Sequence, residues 1–235
     1  MQSLNPSNEE PTFACSETWR TWWSDAEIRS SVLDRVERLV ILVLFGSFFH
    51  ALVVSIGASI RFGQSIAISD FMILITETMM VVMVLFRRKA KNLSLHPTDW
   101  ALAFNATCLS LLARPFPGAA HSWSQFAVLL TILGVSIQLI SKITLGRRFG
   151  VVAANRGLCV SGPYRLVRHP IYMGYVLLHV GFVILNPHLW NFCVFAALYA
   201  IQIPRLMAEE RLLVQDPAYK AYMQKVRSRL IPGLF

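Results

Sequence analysis

Residues 39–60 read LVILVLFGSFFHALVVSIGASI, an unbroken run without one charged side chain. A helix needs about 20 apolar residues to cross ~30 Å of hydrocarbon. In lipid only a helix or a closed barrel satisfies its own backbone hydrogen bonds. The run therefore reads as a membrane-spanning helix, and it sets what to look for elsewhere. Five further apolar segments follow: Ile66–Phe86, Trp100–Leu112, Trp123–Ile143, Ile171–Leu185 and Leu189–Ile203. The segments 66–86 and 123–143 are long enough to span unaided. The other three need flanking residues. The expected fold is all-α, a polytopic membrane bundle of about six helices.

Composition agrees. Of 235 residues, 55% are hydrophobic and 15% charged, against about 25% charged in a soluble domain. Yet 22 Lys and Arg against 13 Asp and Glu leave a net charge of +9. A chain both apolar and basic is a membrane protein with basic loops, not a disordered chain, a disulfide scaffold or a soluble nucleic-acid binder. With a cytoplasmic N-terminus and six crossings, 20 of the 22 basic residues fall on the cytoplasmic side and only Arg61 and Arg114 on the other. Without the crossing at 100–112, the groups Arg87–Lys91 and Lys142–Arg168 would face opposite compartments. Both termini are then expected in the cytoplasm, at a bacterial inner membrane or the endoplasmic reticulum according to the source.

Three regions follow. Residues 1–38 are a polar N-terminus, disordered over 1–18. Trp19, Trp22 and Trp23 cluster as headgroup-level aromatics do. Ser24 with Glu27 fits a capping box, and Ile28, Val32, Val36 and Leu39 recur at helical spacing. Ser24–Arg38 is expected to be a short amphipathic helix lying on the membrane and leading into the first span. Residues 39–141 hold the N-terminal spans and 142–235 a C-terminal region with the chemistry.

Polar residues inside spans are few. Glu77, His50 and His179 sit mid-span, where ionisable groups are costly and often functional, although a lone histidine is more often a packing residue. Asn105 and Gln138 have the chemistry to bond across helices. Cys15, Cys108, Cys159 and Cys193 form no CxxC, and no spacing of His or carboxylates assigns a metal site. Between Asp99 and Glu209 there is no acid at all, while eight basic residues fall there. Such a stretch suits an anionic ligand.

The C-terminal region has distinct punctuation. Gly146 can stop the fourth helix. Gly162-Pro163 makes a turn, and Pro170 fits the first turn of the next helix, where its missing N–H is harmless. His169 and Tyr172 then lie at the cytoplasmic boundary. The Asn186-Pro187 hairpin brings back a helix ending at Pro204, followed by Arg205 and, one turn on, Glu209 and Glu210. His169 and Tyr172 are expected to face Arg205 and Glu209.

Taken together, Gly162-Pro163-Tyr164, Arg168-His169-Pro170-x-Tyr172-x-Gly174, the Asn-Pro hairpin, Arg205-x-x-x-Glu209-Glu210 and the tail Tyr219-x-x-Tyr222 to Pro232 resemble the isoprenylcysteine carboxyl methyltransferase family, itself similar to the membrane phospholipid N-methyltransferases. The resemblance covers roughly residues 142–235. It implies S-adenosylmethionine as cofactor, with contacts from Arg156, Gly157, Leu158, Cys159, Tyr164, His169, Pro170, Ile171, Tyr172 and Glu209. It implies catalytic roles for Arg205, beside the acceptor's carboxylate, and for Glu209. The family's His-x-Leu-Val-type stretch is Arg156-Gly157-Leu158-Cys159 here. The partners implied are a lipophilic or lipidated acceptor entering from the bilayer and membrane lipids, with no nucleic acid. A phospholipid amine N-methyltransferase, a sterol-type reductase and a non-enzymatic transporter or scaffold built on Glu77, His50 and His179 stand as alternatives.

Overall fold

The computed structural model of the chain describes residues 26–63, 68–114 and 124–233. The tryptophan cluster and Ser24 lie outside them. Each of the six apolar segments forms a helix: α1 (Ala26–Arg61), α2 (Ile68–Phe86), α3 (Pro97–Ser110), α4 (Ser124–Leu145), α5 (Pro170–Leu185) and α6 (Leu189–Leu213). A short α7 (Pro217–Lys225) and a two-residue antiparallel pair, β1 (Asn92–Leu93) with β2 (Ala154–Asn155), complete it. α1, α4 and α6 are long and apolar enough to cross a membrane; α2 and α5 carry shorter apolar stretches. Outward-facing Val43, Val54, Leu129, Ile143 and Phe192 are exposed, as lipid-facing side chains should be. The protein is an integral membrane helix bundle.

α3 is only 14 residues long, yet it joins both ends of the bundle. At its start Asp99 accepts from Arg211 at 3.2 Å, next to the β1–β2 pair. At its exit Arg114 N–H donates to the Asn191 carbonyl oxygen Oδ1 at 3.1 Å, and Trp190 Nε1 donates to the Leu112 carbonyl at 2.9 Å. The completely buried Asn191 amide donates back to the Arg114 and Asn186 carbonyls. One side chain thus ties three chain segments at the end of the bundle away from the basic loops.

α4 and α5 touch backbone to backbone. A Cβ on Gly174 would sit 2.7 Å from the Gly134 carbonyl oxygen, and one on Gly181 2.7 Å from that of Ala127. Ala127 and Gly134, seven residues apart along α4, make the matching seam. Small residues let helices approach closely where lipid gives no hydrophobic drive.

From Ala26 on, the helix expected over Ser24–Arg38 is the start of one continuous helix, α1, and leads into the first span as expected. Its apolar stripe, Ile28, Val32 and Val36, does face outward. Its polar face is buried, because it carries the acids of an ion cluster. Asp34 and Glu37 meet Arg87, just past α2, and Arg156, just past β2, at 2.9–3.1 Å. All four residues are at most 5% exposed. Two acids against two guanidiniums balance the charge, and Asp34 accepts hydrogen bonds from Arg87 and Arg156 while Glu37 accepts one from Arg156, which favours burial of the ions. Gly150 makes room: a Cβ there would fall 2.0 Å from Arg156 Nη1. Glu37 Oε1 also accepts the Val151 and Val152 N–H groups at 2.9 and 3.0 Å.

The sixth apolar segment was expected to end at Pro204. α6 runs through it to Leu213, because a proline removes one backbone bond without forcing a stop when packing holds both sides. Asp216 then caps α7 by accepting from Ala218 N–H, and its other oxygen accepts from Asn155 Nδ2, both at 2.9 Å.

Glu37→Ala leaves two buried guanidiniums short of a counter-charge. It should lower stability by about 3–5 kcal/mol, read as a drop in the thermal midpoint in detergent. The Asn155 and Ala218 donors hold the Asp216 carboxyl below its ordinary value of 3.8. A depressed carboxyl stabilises the fold above that ordinary value and stops doing so as the pH falls through the lowered one. Protease nicking of α7 should therefore rise on acidification below that value in the wild type. Asp216→Asn should flatten that pH dependence.

Candidate functional site

The site is assembled where α5 begins. His169 is the residue before the helix and Pro170 its first residue. The two backbone N–H groups ahead of the helix are fixed by the C-terminal tail: Arg168 donates to the Ser228 carbonyl at 3.0 Å and His169 to that of Arg229 at 2.9 Å. Glu210 locks the same junction through its side chain. Its Oε1 lies 3.0 Å from Arg168 Nε and 3.2 Å from His169 Nε2, and its Oε2 accepts from Arg229 at 2.7 Å. Glu210 is 4% exposed, so this cationic cage is what lets the carboxylate be buried.

Successive residues on a helix point about 100° apart. With Glu210 turned into the cage, Glu209 faces a cavity, where it accepts the Tyr172 hydroxyl at 3.2 Å. One turn earlier Arg205 lines the same cavity, its guanidinium 5.9 Å from the centre of the Tyr172 ring. Arg205 and Glu209 form no ion pair with each other among the described residues. Arg205 Nη2 donates instead to the Val151 carbonyl at 2.8 Å and Nη1 to Gln202 at 3.4 Å, which leaves its buried Nε without a partner. The expected meeting of His169 and Tyr172 with Arg205 and Glu209 is thus divided: Tyr172 meets both, and His169 meets Glu210.

The cavity has a volume of about 660 Å³. It runs from Tyr164, Tyr219 and Tyr222 at the basic end to Leu111, Ala113, Leu185 and Asn186 at the other. Gly157, Leu158, Cys159, Tyr164, His169, Ile171 and Tyr172 all line it. Pro170 does not; it is fully buried and sets the helix start. Arg156 lines the wall, but its Nη2 is committed to Asp34 and Glu37. Gly157 is at φ +104°, a conformation that favours glycine, with its N–H on Asn155 Oδ1.

The tyrosines at the basic end are proton donors. Tyr222 donates to the Tyr164 carbonyl at 2.6 Å. Burial, reinforced by the Glu209 carboxylate, holds the Tyr164 phenol far above its ordinary range; burial with Glu210 and Glu209 does the same for Tyr219, and burial pushes Tyr222 up to about 12. The buried Tyr219 hydroxyl has no hydrogen-bond partner among the described residues, although it borders the cavity.

Other polar residues are resolved too. His179 Nδ1 is 3.0 Å from the Tyr199 hydroxyl and its ring stacks on Tyr175, a satisfied packing residue on the cavity wall. His50 is exposed on α1. The Glu77 side chain lies outside the described residues. Asn105 bonds within its own helix, to the Ala101 carbonyl, rather than across helices. Buried Gln138 lines the cavity with its Nε2 unpartnered. Lys142, Tyr175 and Gln202 also line it. The spacing of Gln138 and Lys142, four apart in an apolar helix, was the signal that would have found Lys142.

Comparison with known proteins finds relatives of this chain. The family model for the isoprenylcysteine carboxyl methyltransferase (ICMT) family matches residues 127–215, the part of the chain that carries α4 to the end of α6. Protein-S-isoprenylcysteine O-methyltransferase A of Arabidopsis thaliana is 33% identical over 121 residues, covering 47% of this chain and 58% of the relative. This chain thus matches little more than half of that relative's length. The B protein of the same plant is 31% identical over 147 residues, covering 55% of this chain and 72% of the relative. A probable protein-S-isoprenylcysteine O-methyltransferase of Oryza sativa subsp. indica is 32% identical over 145 residues, covering 56% and 75%. A solved structure of a eukaryotic intramembrane Ras methyltransferase aligns with a TM-score of 0.46 at 19% identity, over 95% of this chain and 88% of that one. On the strength of the sequence relatives, this chain belongs to the isoprenylcysteine carboxyl methyltransferase family.

Proposed function

We propose that the protein is an S-adenosylmethionine-dependent methyltransferase that esterifies the carboxylate of a lipophilic, isoprenylcysteine-like acceptor at the cytoplasmic face of its membrane. The observation that carries this reading is one elongated cavity with two characters. Its basic end holds Arg205, Glu209 and a set of protonated tyrosines, and its far end is apolar. Family membership supports the reaction class.

The residues fit the cofactor. Glu209 offers an anionic carboxylate occupied by one hydroxyl, and Tyr219 offers a buried, unpartnered O–H beside it on the wall. When bound, S-adenosylmethionine supplies a methyl group already activated by its sulfonium. Glu209 and Tyr219 would hold its polar parts, with Tyr164, His169, Ile171, Tyr172 and the Gly157–Cys159 backbone shaping the pocket and Pro170 fixing the helix start. Arg205 would grip the acceptor carboxylate through its planar fork, held in place by Val151 and Gln202. A carboxylate needs no proton removed, so the chain has only to align it and exclude water. The apolar reach past Phe182 to Leu111 and Leu185 takes the lipid chain. The 20 basic residues on one side support the cytoplasmic orientation of that end.

An amine acceptor fits less well. It would put a second cation beside Arg205, and the tyrosines available to take its proton are held firmly protonated.

Purified protein in nanodiscs, given S-adenosylmethionine with a labelled methyl, should methylate an S-prenylcysteine acid and not a phosphatidylethanolamine. Arg205→Ala should lower kcat/KM by about tenfold to a hundredfold. Label appearing in the lipid amine, or an Arg205→Ala protein with unchanged kcat/KM, would refute the reading.

A further inference from the structure

Lys142 is a cation inside the bundle that the site described above leaves unused. It lies on α4 and is 2% exposed. It forms no ion pair among the described residues, and the stretch from Asp99 to Glu209 contains no acid to provide one. Burying an ammonium without a counter-charge is costly. A lysine kept only for packing would be cheaper as methionine, which has nearly the same shape.

Its surroundings are those of a ligand site. The amine stands 5.9 Å from the centre of the Tyr175 ring. Tyr175 packs edge-on against Tyr172, with centroids 6.4 Å apart, and Arg205 lies over Tyr172. Two cations therefore flank one pair of tyrosines on the wall of one cavity. Gln138, one turn from Lys142 on the same helix, is 1% exposed, lines the same cavity and leaves its Nε2 without a partner. A buried amide with an unmade hydrogen bond is a polar donor awaiting an acceptor.

We propose that Lys142, assisted by Gln138, is an anion-binding residue of the acceptor site, holding the acidic head of the acceptor together with Arg205. The inference deepens the reading above and rests on it for the identity of the acceptor. It assigns the specificity for a carboxylic acid over a neutral or amine head to α4 as well as α6. Two cations on opposite helices also exclude amine-headed lipids by repulsion, which is discrimination by a built-in penalty.

The test is equilibrium binding, with no turnover required. The probes are an S-prenylcysteine acid and its primary carboxamide, of equal shape but different charge. Wild-type protein in nanodiscs should prefer the acid by about tenfold or more, as expected for a charge-assisted contact. Lys142→Met should lower that preference by about tenfold and leave S-adenosylhomocysteine binding unchanged. Lys142→Arg should keep most of the preference. If the Met variant does not fold, Lys142→Gln carries the same comparison. A Lys142→Met protein that binds S-adenosylhomocysteine and keeps the full preference overturns the proposal, as does a wild type indifferent to the charge. A wild type that prefers the acid through Lys142 yet transfers no methyl would remove the reaction and leave the lysine's role standing.

Discussion

The carboxylate of Glu37 is the constraint on which the two halves of the molecule depend. It sits on α1, far in sequence from the motifs of the C-terminal region, and it is completely buried. It pairs with Arg87 and Arg156 and accepts the N–H groups of Val151 and Val152. The Val151 carbonyl on the other side of that peptide segment holds Arg205. A single relay of charge-assisted bonds thus runs from the first helix to the residue assigned to the acceptor's carboxylate. Such a cluster is costly to bury and costlier to break, which is why it fixes the loop from Phe149 to Cys159 as a rigid wall.

The second constraint works beside it. The close α4–α5 seam aligns Tyr172, Tyr175 and His179 of α5 with Gln138 and Lys142 of α4 on the wall of one cavity. Glu210, caged by Arg168, His169 and Arg229, fixes the rotation of α6 and so aims Glu209 inward. The adjacent pair of acids divides the labour: Glu210 is structural, and Glu209 faces the cavity.

The helices were legible because apolar runs and the placement of basic residues are local signals, and even the short segment at Trp100–Leu112 follows from charge placement alone. The site motifs were legible as a resemblance, and Tyr172, Arg205 and Glu209 do converge. Three things escaped. The role of Asp34 and Glu37 was hidden because their partners lie 50 to 120 residues away. The small-residue seam of Ala127 and Gly134 was hidden inside a run that reads simply as apolar. The burial of Lys142 on the cavity wall was hidden because a lysine near a helix end reads first as a topology marker. Each depends on a contact between segments that no spacing within one segment can express.

Glu209, Tyr172 and Tyr219 are the residues proposed to hold S-adenosylmethionine. Calorimetric titration of the purified protein in nanodiscs with S-adenosylhomocysteine tests this most directly. The expected result is saturable binding of one molecule per chain, weakened by about tenfold or more in Glu209→Gln, which keeps the shape and removes the charge. An absence of saturable binding, or a Glu209→Gln protein that binds as tightly as the wild type, would contradict it.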